Sequence, residues 1–292
     1  TAIVKTKKQG YITGSQFKRY TGRANLSSQV TKWLKIGTNL AANLSYSDGN
    51  QNEGMNNNIN PFRFVRYIGP IYPIHVHNPE TGEYLRDDNG NLIYDFGTGY
   101  SVNGVSVPVR DYVSGNNPAL ELQKNYNGYK RNNINAKAFA EITLLEGLKL
   151  TLNGNVGTNS YLSSSAVIVY PEKGNTGSAT KVSSNTTTWT YNELLTYTKD
   201  FGKHHMDALV GHESYDYEYN YLNASMKDQK FDDNYELINY SNVNTTPTSY
   251  TDKYTTEGYL SRFNYDYDNK YFVSASYRRD GSSRFYKDSR WG

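Results

Sequence analysis

The feature that most constrains this chain is a period-two alternation of apolar and polar side chains, repeated along its length. From Leu34 to Tyr46 the even positions are Leu34, Ile36, Thr38, Leu40, Ala42, Leu44 and Tyr46, and the odd ones Lys35, Gly37, Asn39, Ala41, Asn43 and Ser45. Successive side chains of a strand point to opposite faces, so such a segment has one apolar and one polar face. The pattern returns at Ile134–Leu144, Leu148–Val156 and Tyr271–Tyr277, and less regularly at Gly22–Val30, Trp189–Tyr197, Met206–His212 and Tyr259–Tyr267. About eight strands result, near the ~9–11 residues a tilted strand needs to cross a bilayer and longer than the ~5–6 usual in globular sheets.

The connections sharpen the expectation. Strands pair through short turns around Thr31–Trp33, Leu145–Gly147, Asp200–His204 and Asp268–Lys270, while polar stretches at 48–128, 162–186, 221–253 and from 281 onward separate the pairs. Short turns on one side and long loops on the other are the asymmetry of outer-membrane barrels, whereas a soluble sandwich mixes loop lengths at both ends. The expected class is therefore all-β: a transmembrane antiparallel β-barrel segment with periplasmic turns and long extracellular loops. The first long loop reads as carrying a hairpin, with Asn89-Gly90 supplying the positive-φ turn residues.

Composition agrees. There are 29 Tyr against 10 Phe and 3 Trp, and tyrosine favours both strands and the membrane–water interface. The chain has no cysteine, which excludes disulfides and thiol chemistry. A net charge of +3 argues against a nucleic-acid binder. No apolar run is long enough for a membrane helix, but barrel strands hide their apolar face in alternation.

Candidate chemical sites are few. His75 and His77 are two apart, as ligands on one strand face would be, but no matching third ligand follows, so they read as surface loop residues. His204 and His205 read as turn residues. Asp87-Asp88-Asn89-Gly90-Asn91 lacks the distal bidentate Glu of a calcium loop and is explained by a hairpin turn. No phosphate loop, nucleophile elbow or acid/base dyad stands out, so neither a cofactor nor an enzymatic activity is expected. Tyr67, Tyr72, Tyr84, Tyr94 and Tyr100 fall in the first long loop and are candidate ligand contacts, against the alternative that they pack the loop itself.

Four stretches carry a family resemblance: FKRYTGRANLSSQVTKWLKIGTNLAANLSYS, NNINAKAFAEITLLEGLKLTLNGNVG, WTYNELLTYTKDFGKHHMDALVGHES and GYLSRFNYDYDNKYFVSASYRRDGSSRFYKDSRWG. In order and spacing they resemble the SusC/RagA-type TonB-dependent transporters of Bacteroidetes. The resemblance implies an outer-membrane barrel of about 22 strands around an N-terminal plug, energised through TonB, capped by a SusD-like surface lipoprotein and importing glycans or peptides. Both ends of the chain read as cut from something longer. Plug, TonB-contact segment and closing strands would then lie elsewhere, and the remainder of the barrel would pair with the edges. The rival expectation is a structural or adhesin-type barrel whose loops bind without transport. In either case Lys35, Asn39, Asn43, Lys137, Glu141, Lys149 and Asn153 are expected to face the lumen, and Leu40, Ala138 and Leu150 the lipid.

Overall fold

The computed structural model describes residues 2–10, 14–49, 60, 62, 66, 73–111, 114–170, 174–231 and 234–292. Among them, nine strands form one antiparallel sheet. They are β1 (Ala2–Gln9), β2 (Gln16–Gln29), β3 (Leu34–Asp48), β6 (Tyr126–Leu145), β7 (Leu148–Tyr170), β8 (Asn175–Phe201), β9 (His204–Gln229), β10 (Tyr240–Tyr267) and β11 (Tyr271–Ser282), each paired with the next. A separate hairpin, β4 (Thr98–Val102) with β5 (Val105–Val109), and a short helix α1 (Pro118–Lys124) lie between β3 and β6.

Eight strands contain the eight alternating segments. The ninth, β1, carries Lys5, Lys7 and Lys8, which break its alternation; it is held by eight register positions along β2. A larger departure concerns the polar stretches at 162–186 and 221–253. These are mostly strand: β7 runs to Tyr170, β8 starts at Asn175, β9 runs to Gln229 and β10 starts at Tyr240. Where water bathes both faces, a strand needs no apolar side, so its pattern fades while its pairing continues. Among the described residues only β3 and β6 are paired strands far apart in sequence, and the chain after β11 folds back so that Trp291 bridges Gly281.

Register carries one face consistently from strand to strand. Leu34, Ile142, Leu150, Leu195, Val210, Ser261 and Tyr277 form one row. The apolar band on this face ends at Leu44 on β3 but at Tyr277 on β11, a residue aligned with Leu34. The edge thus drifts ten residues, from Leu44 to Leu34, over six strand-to-strand steps. At ~3.3 Å per residue and ~4.8 Å per strand, the strands lean about 50° from the normal to the band. That is close to the ~35–45° tilt of transmembrane barrels. An oblique apolar band is thus built into the register.

Rings bound the band. Phe201 stacks on His204 at 5.0 Å, and His204 packs against Tyr265 and Tyr267 beside the short turns. At the upper edge His212 lies against Tyr191 and Tyr259 and is hydrogen-bonded between Glu193 (2.8 Å) and Glu257 (3.1 Å). Above that edge the same face turns polar. Thr255 donates to Asp216 at 2.6 Å, and Lys253 pairs with Glu218 at 2.8 Å.

The long connection has a small core of its own, seated on the upper end of β7. Phe96, Leu120 and Tyr170 are buried together, with Tyr94, Val167 and Ile168 against them. Asn117 fastens α1: its side-chain oxygen caps the Leu120 amide at 3.1 Å, and its Nδ2 donates to the carbonyls of Ile74 and Asp95, both at 2.9 Å. A turn forms at Asp87–Gly90, flanked by the Arg86–Leu92 bridge, but of the expected positive-φ pair only Gly90 takes that conformation, at φ 80°, and Asn89 does not. Asn91 and Asn89 donate to the Asp87 carboxylate, Asn91 most strongly, and hold its pKa below the ordinary Asp value.

Candidate functional site

The face opposite the apolar band holds the candidate site. Lys35, Asn39, Asn43, Lys137, Glu141, Lys149 and Asn153 all lie on it, as register dictates. Lys35 pairs with Glu141 at 3.5 Å, Asn43 accepts from Arg19 at 3.1 Å, and Asn153 donates to Asn192 at 2.8 Å. Phe139 is the one large apolar ring among these positions, and it is accounted for by its partner. Its ring covers Gly37, where an added Cβ would come within 2.3 Å of it.

Amides and hydroxyls dominate this wall. A concavity of about 290 Å³ opens between Arg19, Arg23, Asn43, Asn133, Asn135 and Asn159. Each amide presents donors and an acceptor. A larger hollow, about 880 Å³, lies on the apolar face over Thr38, Ala138 and Gly154. Small side chains make it, and its place in the apolar band marks it as lipid-facing surface.

Higher on the polar face, the β9–β10 pair carries a strip of tyrosines that the sequence reading did not single out. Tyr215, Tyr217, Tyr219 and Tyr221 alternate along β9, with Tyr250 and Tyr254 beside them on β10. Tyr217 stacks on Tyr254 at 4.8 Å and 28°, and Tyr250 lies 5.9 Å from Tyr219 and 5.1 Å from Tyr221. The intervening residues, Asp216, Glu218 and Asn220, point the other way. Arg284 caps the strip, its guanidinium 4.4 Å over Tyr254 while it pairs with Asp252 at 2.6 Å. The signal was present as Tyr-Asp-Tyr-Glu-Tyr-Asn-Tyr, an alternation with aromatic and acidic members in place of apolar and polar ones. On the same face Arg131 sits 5.0 Å over Tyr161, next to Tyr129.

Of the loop tyrosines, Tyr84 and Tyr94 join His75 and His77 in one row of rings. His75 stacks on Tyr94 at 5.0 Å, and His77 lies 4.4 Å from Tyr84. Tyr84 is 54% exposed. Tyr100 is used differently. Its hydroxyl donates to the Tyr94 carbonyl at 3.0 Å and accepts the Phe96 amide at 2.6 Å, which shapes the loop from within. Tyr67 and Tyr72 lie outside the described residues. Among the described residues no group of metal-ligating side chains is assembled.

Known proteins share this arrangement. No protein-family model matches the chain. The TonB-dependent receptor P39 of Formosa agariphila is 27% identical over 97% of the chain, which covers 24% of that receptor. The TonB-dependent receptor SusC of Bacteroides thetaiotaomicron is 26% identical over 98% of the chain, which covers 28% of it. Among solved structures, the RagAB peptide transporter superposes with a TM-score of 0.66 at 25% identity, covering 95% of this chain and 29% of that one. The chain thus spans about a quarter of the length of the curated relatives it matches. Oblique apolar band, antiparallel register from strand to strand and these likenesses together mark the chain as an outer-membrane β-barrel segment similar to the SusC/RagA type of TonB-dependent receptor.

Proposed function

We propose that this chain is part of the wall of an outer-membrane nutrient importer, taking up glycans or peptides without catalysing a reaction on them. The observation that carries the reading is the continuity of the polar face. It runs from the short turns at Lys35 and Lys149, past the amide wall, to the tyrosine strip above the apolar band. Such a face suits the lining of a passage, with the long connection of residues 49–125 on the outer side. The relatives' names supply the energy source: they are TonB-dependent, and one solved relative is a peptide transporter. A plug, a TonB-contact segment and a SusD-like lipoprotein lid belong to the proposal as partners of the complete barrel. So do further strands that pair with β1 and β11, since in lipid each unpaired backbone group costs several kcal/mol.

Uptake by cells expressing the complete barrel tests it. Fluorescent oligomers should accumulate, and a protonophore should abolish accumulation while leaving surface binding. Binding that never leads to accumulation would instead establish the adhesin-type alternative.

A further inference from the structure

The tyrosine strip on β9–β10 carries a more specific statement. We infer that it is a stacking track for a neutral oligosaccharide, an inference that rests on the import reading above.

Four points of chemistry lead there. First, Tyr215, Tyr217, Tyr219 and Tyr221 recur every second residue, about 6.7 Å apart along the strand, and each is only half-buried. With Tyr250 and Tyr254 they form a strip one strand pair wide, long enough for several ligand units in succession. Such a strip fits a chain of repeating units better than a single small molecule. Second, its rings are held by one another, with centroids 4.8–6.4 Å apart. A ligand therefore meets a surface whose rotamers are already restricted, which lowers the entropy lost on binding. Third, the acidic groups bordering the strip are matched by the protein's own arginines, Asp252 by Arg284 at 2.6 Å and Glu213 by Arg278 at 3.4 Å. The surface is thus apolar in the ring faces and hydroxylated at their tips, with neutralised charge beside it. A sugar ring has the same character, a C–H face and a hydroxyl rim. Fourth, both neighbours of β9 are in place along the strip: β8 pairs with it on one side and β10 on the other. An extended peptide gains most of its affinity by adding to a free sheet edge; β9, which carries four of the six rings, offers none, and only the stretch of β10 beside Tyr250 and Tyr254, which β11 meets from Thr256 onward, is left for such an addition.

The amide wall completes the fit. Asn39, Asn133, Asn135 and Asn155 share the polar face with the strip, and each can both donate to and accept from a hydroxyl. A chain leaving the strip for the passage would exchange stacking for amide hydrogen bonds.

The experiment is equilibrium binding to the complete barrel in detergent, with maltohexaose, cellohexaose and xylohexaose as sugar probes and an uncharged decapeptide mixture as the peptide probe. Tyr217→Ala with Tyr221→Ala should weaken sugar binding roughly tenfold or more. Tyr217→Phe with Tyr221→Phe keeps the ring faces and should leave affinity within a few-fold. Heat-modifiable mobility on gels checks that each variant folds. Three results would overturn the inference: sugar affinity equal in wild type and the alanine variant, tyrosine-dependent binding of the peptides alone, or no sugar bound. Any of these alongside protonophore-sensitive uptake would leave the import reading standing. Loss of energised uptake with intact sugar binding would remove the import reading and leave the strip.

Discussion

Arginine placed at two sites on neighbouring strands, but on opposite faces, separates the two environments this sheet creates. Ala138 lies at the middle of the apolar run Ile134–Ile142 on β6, aligned with Thr38 and Gly154, neither of which can neutralise a cation. Ala138→Arg should therefore cost about 2–4 kcal/mol, the range for a basic residue at the midplane of a barrel's lipid face. That lowers the folded-to-unfolded ratio roughly 30- to 700-fold. Thr151 lies on β7 with its side chain on the polar face, and its register partner is Glu141. Thr151→Arg brings a guanidinium beside a carboxylate that already pairs with Lys35 at 3.5 Å, so its effect should stay within about 1 kcal/mol. The assay is urea-dependent folding of the complete barrel into lipid vesicles, followed by tryptophan fluorescence and gel mobility. If Thr151→Arg destabilised as much as Ala138→Arg, or more, the assignment of faces would be wrong for every strand at once, because the register is continuous.

Other expectations follow from particular contacts. Gly37→Leu forces Phe139 off its partner strand and should destabilise by about 1–3 kcal/mol; adding Phe139→Ala should recover part of that loss in the same folding assay. Asn117→Ala removes a helix cap and takes a donor from the Asp95 and Ile74 carbonyls, the latter keeping the Asp95 amide. Amide exchange at Leu120 should accelerate roughly 30-fold, for a loss of about 2 kcal/mol, while the sheet amides stay protected. The Asp87 turn should be acid-labile. Its folded pKa is depressed, chiefly by the Asn91 side chain, so its contribution is present above the ordinary Asp value of ~3.9 and is lost as pH falls through the lower folded value. The amide resonances of Asn89 and Asn91 should report that transition, and a midpoint above the ordinary Asp value would contradict it.

How much of this was legible in the sequence depended on which solvents a segment faces. Leu34–Tyr46 and Leu148–Val156 alternate because lipid lies on one side and water on the other. Thr176–Thr188 and Ser241–Lys253 are strands too, but they lie beyond the apolar band and their hydroxyl-rich sequence reads as loop. β1 was obscured by lysines on both faces. The lumen candidates were legible because face follows from parity once one strand is placed. The tyrosine strip was not, since its alternation pairs rings with acids and scores as polar throughout. Tyr100 shows the converse. Its place in the loop left ligand contact and loop packing both open, and its hydroxyl bonds to the Tyr94 carbonyl and Phe96 amide, which tie the loop together, are visible only in the tertiary structure.

The most direct test of the central claim is a spin-label scan along β9 in the complete barrel reconstituted in lipid. These 292 residues contain no cysteine, so once any cysteine elsewhere in the complete barrel is replaced, single-cysteine labelling at each position from 206 to 221 is unambiguous. Labels at 206, 208 and 210 should be relaxed by oxygen dissolved in the bilayer, and those at 207, 209 and 211 by a water-soluble nickel chelate. From 214 upward the chelate should reach both faces. Uniform chelate access from 206 onward, or alternation of opposite phase, would show that this face of the sheet does not meet lipid.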